Sequence, residues 1–258
     1  MTIPQAVLGI LVGFVAGVLS GSFGVGGGVV TTPAVNVLLG GTAIQAIATP
    51  LPVILPTSLV GAYTYARAGE TSFRAARWAI PPGIAGAIGG AFLTELVNAH
   101  LLLVITAVLM AWTGVEVMRG REPAIAWVKG ATPGWKYSAI GAVAGFVSGL
   151  LGVGGGIVMV PLLTLVIGMP LKRALGTSLA VIAALVVPGT IVHWALGHID
   201  WVIFGVLTLG VVPGARLGAH LAIGARERTL RRAVGAFLLA VAVLYGVDEL
   251  VSLLGDGG

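Results

Sequence analysis

A glycine-rich segment occurs twice in this chain at a fixed separation. Residues 13–33, GFVAGVLSGSFGVGGGVVTTP, return as residues 141–161, GAVAGFVSGLLGVGGGIVMVP, an offset of 141 − 13 = 128. The offset persists downstream without a gap: Gly40 and Gly168, Thr49 and Thr177, Gly61 and Gly189, Gly69 and Gly197, Gly86 and Gly214, Gly90 and Gly218, Leu93 and Leu221. The chain is therefore two copies of one unit. Glycine-interrupted apolar segments at matching places in two halves are the sequence pointer to a transporter's binding site.

Only 9% of the 258 residues are charged, against roughly 25% in soluble domains, and 57% are hydrophobic. Mean hydropathy is +1.07. These values define an integral membrane protein. Apolar stretches over 44–66, 78–96, 101–118, 174–196, 202–224 and 233–254 are each close to the length that crosses a bilayer as a helix. Helices follow because lipid offers backbone groups no partner, and the alternation of a barrel strand is absent. The predicted fold is thus all-α, a polytopic transmembrane bundle. With no Cys, disulfides and thiolate metal sites are excluded. No Lys or Arg precedes Arg67, so the first apolar segment lacks the basic start of a cleaved signal peptide and is expected to be retained.

The net charge of +5 does not point to nucleic acid, because the basic residues sit in short loops. They fit the rule that cytoplasmic loops carry Lys and Arg. The positive loops are 67–77, the linker 119–136, Lys172-Arg173 and 226–232, all expected in the cytoplasm; the loops near 40–42, 98–100 and 197–200 contain no Lys or Arg and fall outside, with both termini. Equivalent positions are complementary. Subtracting 128 from 226–232 gives 98–104, which has no Lys or Arg, and Arg67, Arg74 and Arg77 correspond to Ala195, Val202 and Gly205. The expectation is two inverted repeats, 1–118 and 137–258, joined by the 119–136 linker into one integrated membrane domain.

Three long helices per half already give an odd number of crossings, so the glycine segment must enter and leave on one side. Residues 138–168, flanked by Lys136 and Lys172, number 31, too few for two full spans and about 46 Å long as a single helix. The reading is a glycine-interrupted helical hairpin in each half, two half-length helices meeting at the turn. A tilted helix followed by an interfacial one is the alternative. Pro33 and Pro161 fall a few residues into the second limb and are expected to loosen or kink it.

Gly24, Gly26, Gly27 and Gly28, with Gly152, Gly154, Gly155 and Gly156, permit positive φ and close backbone approach. First-turn N–H groups of the following helix, and its dipole end, would favour an anion there. Ser20 and Ser148 add hydroxyl donors. Gly21 and Gly149 adjoin them, although the Gly13-Gly17-Gly21 and Gly141-Gly145-Gly149 spacings also suit close helix packing. Thr49, Thr177 and Ser178 are further candidates, as ligand contacts or as hydroxyls bonded to their own helices. Arg216 lies inside a predicted span, where it either pairs with an anion or snorkels to the inner surface. His193 and His220 are candidates for carrying protons, or interfacial structural residues. No catalytic constellation, metal site, nucleotide loop or cofactor is indicated.

The Ser-Gly-x-x-Gly-Val-Gly-Gly-Gly segment that opens each half resembles that of the TauE/SafE family of sulfite exporter-like membrane proteins. The likeness covers nearly the whole chain. It implies a secondary transporter in the plasma (inner) membrane of a bacterium that moves small anions outward, with sulfite or a sulfonate such as sulfoacetate as substrate. The expected partners are the lipid bilayer and a small anion, without nucleic acid; a coupled proton and a second copy of the chain are open. A passive anion channel of the same architecture, or a membrane-embedded enzyme or assembly factor, are the competing readings.

Overall fold

The computed structural model describes residues 2–94, 99–119, 132–151 and 154–255. All regular elements among them are helical: α1 (Ile3–Phe23), α2 (Gly28–Pro33), α3 (Ala43–Ala48), α4 (Pro50–Arg67), α5 (Phe73–Thr94), α6 (Ala99–Arg119), α7 (Gly134–Leu151), α8 (Gly156–Pro161), α9 (Leu171–Ala195), α10 (Trp201–Gly224) and α11 (Glu227–Gly255). Among the described residues, Ile3–Phe23, Ile44–Arg67, Leu171–Ala195 and Trp201–Gly224 are long and apolar enough to cross a membrane. The helices predicted over 78–96, 101–118 and 233–254 correspond to α5, α6 and α11, with 95–96 outside the described residues.

The glycine segment differs from expectation. Its two limbs are unequal. α1 runs 21 residues, about 31 Å, and α7 runs 18, whereas α2 and α8 have six residues each. The helix continues through Gly13, Gly17 and Gly21 because these are packing positions that keep the helical ladder. It stops only at Gly24, whose φ of 69° and N–H bond to Ser20 O (2.8 Å) form a left-handed cap. α2 and α8 end at Pro33 and Pro161, which have no N–H to give, and a π-helical turn follows each, Ala34–Leu38 and Leu162–Val166. These two turns are also 128 apart.

Helix pairs form across the halves. Gly13, Gly17 and Gly21 of α1 face the backbone of Leu207, Val211 and Ala215 of α10; Gly141, Gly145 and Gly149 of α7 face Ala79, Gly83 and Ala87 of α5. Subtracting 128 from 207, 211 and 215 gives 79, 83 and 87, so these are one contact with the halves exchanged. Numbers rise together along both pairs, so α1 runs parallel to α10 and α7 to α5. Repeat-equivalent helices, by contrast, pack antiparallel. Gly61 of α4 meets Leu179 of α9 while Gly189 meets Leu51, and Gly114 of α6 meets Gly235 and Leu239 of α11 while Gly235 meets Met118.

The absence of a Cβ sets these distances, since a Cβ at Gly145 would drive into the Gly83 carbonyl oxygen. Gly145→Ala is therefore expected to push α7 off α5 and destabilise the protein by about 1–3 kcal/mol. Gly205, which has nothing within 4 Å of its Cβ position, serves as the control. Thermal unfolding in detergent reads both, and equal midpoints for Gly145→Ala and Gly205→Ala would discount the close approach.

Candidate functional site

The two glycine turns come from different halves and touch. A Cβ at Gly154 would lie 3.3 Å from Val25 O, and one at Gly156 would collide with Gly24 O and stand 2.9 Å from Val25 Cα. Gly24, Gly26 and Gly27 have φ of 69°, 91° and 83°, and Gly154 and Gly155 of 87° and 63°. A Cβ opposes such values by roughly 1–2 kcal/mol per residue. Gly152 lies outside the described residues.

The meeting point is at mid-depth. The Gly26 Cβ position is 3.2 Å from Ile182 Cγ2 and 3.3 Å from Ile54 Cγ2. Ile182 is 11 residues from the start of α9 and 13 from its end (182 − 171, 195 − 182), and Ile54 is its repeat equivalent. At helical rise the turns lie about 16–20 Å from either end of α9. Ile54, Ile182 and Val186 form an apolar cluster of their own at this level.

In the second limbs, the first bonded helical amides are those of Val30 and Thr31 to Gly27 O (3.1 Å each) and of Val158 and Met159 to Gly155 O (3.3 and 3.0 Å). Amides earlier in such a turn have no partner within the helix. One of them, Gly156 N–H, bonds Gly154 O at 2.7 Å. Ser20 stands against the first turn, its Oγ 3.7 Å from the Gly27 Cβ position; the residue is 1% exposed and the hydroxyl has no partner. Ser148 occupies the equivalent place, its Oγ 3.5 Å from the Gly155 Cβ position. Gly21 O accepts from Tyr65 Oη at 3.1 Å. Ser178 Oγ donates to Gly24 O (3.0 Å) or Leu175 O (2.9 Å), fastening the first turn to α9.

Other candidates lie elsewhere. Thr49 Oγ1 accepts from Asp200 N–H (3.1 Å), and Thr177 Oγ1 accepts from Ser72 N–H (2.9 Å) and donates to Arg173 O (2.7 Å). Because 72 + 128 = 200, these are one tether used twice. Each threonine holds the loop before a helix of the opposite half, with its hydroxyl occupied by backbone. Gly149, like Gly21, is a packing position.

Arg216 is exposed on a stripe of α10 with Leu209, Leu217 and Leu221, while adjacent Ala215 is fully buried against Gly21. One residue is about 100° of helical rotation, so burial of Ala215 directs Arg216 toward the perimeter and away from the turns. Of the two readings of Arg216, this placement favours snorkelling over a position beside the turns. His220 is exposed, its Nδ1 2.8 Å from Arg216 O. His193 is half-buried, with Nδ1 3.2 Å from Nδ1 of His198. Their spacing of five residues, across the end of α9, gave no helical-face signal. Among the described residues no three His, Asp or Glu side chains gather as a metal site would require.

Span-length apolar helices around broken backbone buried at mid-depth define a polytopic helical membrane protein of the transporter class. The chain belongs to the family described as sulfite exporter TauE/SafE, whose profile matches residues 9–245. It is 30% identical over 253 residues to a probable membrane transporter protein of Xylella fastidiosa (strain 9a5c), covering 94% of this chain and 95% of that one. It is 27% identical over 261 residues to the probable membrane transporter protein YunE of Bacillus subtilis (strain 168), covering 92% and 94%. The probable membrane transporter protein MJ0441 of Methanocaldococcus jannaschii is 24% identical over 82% of this chain and 84% of its own. No solved structure matches.

Valine at Gly27 or Gly155 combines positive φ with a β-branched side chain and is expected to disrupt the paired turns while the long helices still insert. Gly155→Val should therefore reach the membrane at wild-type abundance and transport nothing. Transport at the wild-type rate would remove the turn from the mechanism.

Proposed function

We propose that the protein is a secondary transporter that exports a small anion, sulfite or an organosulfonate such as sulfoacetate, by alternating access at the paired glycine turns. The observation that carries this is the contact between two positive-φ glycine turns, one from each half, at the middle of the spans beside a buried hydroxyl without a partner. The family description supports the substrate class. Ser20, Gly24, Gly26, Gly27 and Gly28, with Ser148, Gly152, Gly154, Gly155 and Gly156, surround the anion in this reading, and Ser178 positions the first turn.

Two inverted repeats, 1–118 and 137–258, would rock against each other about these turns. Antiparallel packing of equivalent helices, α4 with α9 and α6 with α11, supports the inversion, because an axis along the membrane normal would leave equivalent helices parallel. The 119–136 linker would lie in the cytoplasm of a bacterial cell and both termini outside. The His193–His198 contact is where a proton gradient would act, and a second copy of the chain remains compatible with this scheme.

Uptake of labelled sulfite, sulfoacetate, sulfate and thiosulfate into proteoliposomes, with and without a pH gradient, tests the reading. Saturable sulfite or sulfonate flux that responds to the gradient is expected. Gradient-independent, non-saturating flux would instead mark a passive channel, and no flux of any of the four would refute anion transport.

The inversion has its own test. Ala68 and Leu196 are 128 apart, both exposed, and the chain has no Cys to interfere. Ala68→Cys should react with an impermeant thiol reagent only from the cytoplasm and Leu196→Cys only from outside. Reaction of both from one face would overturn the scheme.

A further inference from the structure

Among the described residues, four buried side-chain oxygens lack a hydrogen-bond partner: Ser20 Oγ, Ser58 Oγ, Thr71 Oγ1 and Thr208 Oγ1. Thr71 and Thr208 are half-buried residues, whereas Ser20 is 1% exposed and Ser58 is 0% exposed. Neighbouring hydroxyls return their protons to a carbonyl one turn back, as Thr57 does to Val53 O (2.6 Å), Thr64 to Val60 O (2.8 Å) and Thr190 to Val186 O (2.8 Å). Ser58 makes no such bond. A buried hydroxyl left unpaired carries its desolvation cost uncompensated.

Its place on α4 is informative. Ile54, Ser58, Gly61 and Tyr65 are all buried and share one helical face. At one end of this stripe Ile54 reaches the Gly26 position (3.3 Å), and at the other Tyr65 Oη donates to Gly21 O (3.1 Å). The stripe thus crosses the chain from Gly21 to Gly26, with Ser58 one turn beyond Ile54. The repeat supplies a comparison within the molecule: 58 + 128 = 186, and Val186 packs with Ile54 and Ile182. An apolar side chain fills this place in the second copy, so the packing there does not require a hydroxyl.

We infer that Ser58, with Ser20, donates hydrogen bonds to a dehydrated oxyanion at the first-half turn, so that Ser58 determines specificity on one side of an otherwise repeated site. This rests on the anion-transport reading above. Neutral O–H donors in a low-dielectric core take over from the water stripped off the anion, and hydrogen bonds to a charged acceptor are stronger than those between neutral groups. Donors approaching from two helices, α1 and α4, suit an anion with two or more terminal oxygens on one centre, as in sulfite or a sulfonate. The ligand's oxygens would supply the acceptors that Ser20 and Ser58 lack in the protein alone.

The test is transport of labelled sulfite and sulfoacetate in proteoliposomes by the wild type, Ser58→Ala and Ser58→Thr, with thermal unfolding of each protein in detergent without anion. Ser58→Ala should raise KM about tenfold or more, the loss of one charge-assisted hydrogen bond. Its midpoint should stay level or rise, because an unpaired polar group has been removed. Ser58→Thr, which keeps the donor, should hold KM near the wild-type value. Wild-type KM in Ser58→Ala would overturn the inference, as would a raised KM accompanied by a lowered midpoint and not restored by threonine. A wild type that moves neither anion would overturn the transport reading, and this inference with it.

Discussion

Backbone that leaves the helix in the middle of a bilayer must be enclosed by protein, and the rest of this structure depends on that constraint. The first chain break, Gly24 to Gly27, is covered by the second, Gly154 to Gly156, and by Ile54 and Ile182 from α4 and α9. Covering it requires helices from opposite halves to stand close. The glycine stripes of α1 against α10 and of α7 against α5 let backbone approach backbone at the flanks. Neither half contains both members of these pairs, so the enclosure exists only when the halves are together. The tethers from Thr49 to Asp200 N–H and from Thr177 to Ser72 N–H extend the same exchange to the loops.

Much of this was legible in the sequence because it is carried by glycine, whose absence of a Cβ has few other uses inside an apolar segment. The duplicated Gly-Val-Gly-Gly-Gly run marked the turns, and the spaced glycines before it marked close packing. What was not legible depended on helical phase. How far α1 runs turned on whether helix broke at Gly13, Gly17 or Gly24, and only the last takes positive φ. Arg216 and Ala215 are neighbours in sequence, yet rotation about the helix separates a perimeter cation from a packing residue. Thr49 and Thr177 read as polar residues in apolar spans, but their role is set by loops about 100 to 150 positions away, a distance no local pattern conveys. Ser58 had no repeat partner to draw attention to it, and its significance comes from an unpaired atom that only coordinates reveal.

The two halves share a backbone plan but differ in chemistry at equivalent places. A perfectly symmetric pair of inverted halves would have inward-open and outward-open states of equal energy and would bind substrate equally from either side. Beside the Thr177 tether, Arg173 Nε lies 3.8 Å from Glu70 Oε2 and Arg173 Nη2 donates to Gly69 O at 2.9 Å. Subtracting and adding 128 places Gln45 and His198 beside the other tether, so no matching ion pair can form there. Tyr65, which bonds the Gly21 carbonyl, is likewise replaced by His193. One end of the molecule is thus fastened by a partly exposed ion pair, a modest contribution that weakens with salt, and the other carries the His193–His198 contact in its place. The repeat therefore supplies a shared backbone plan, and the positions at which the copies diverge set the two ends of the molecule apart.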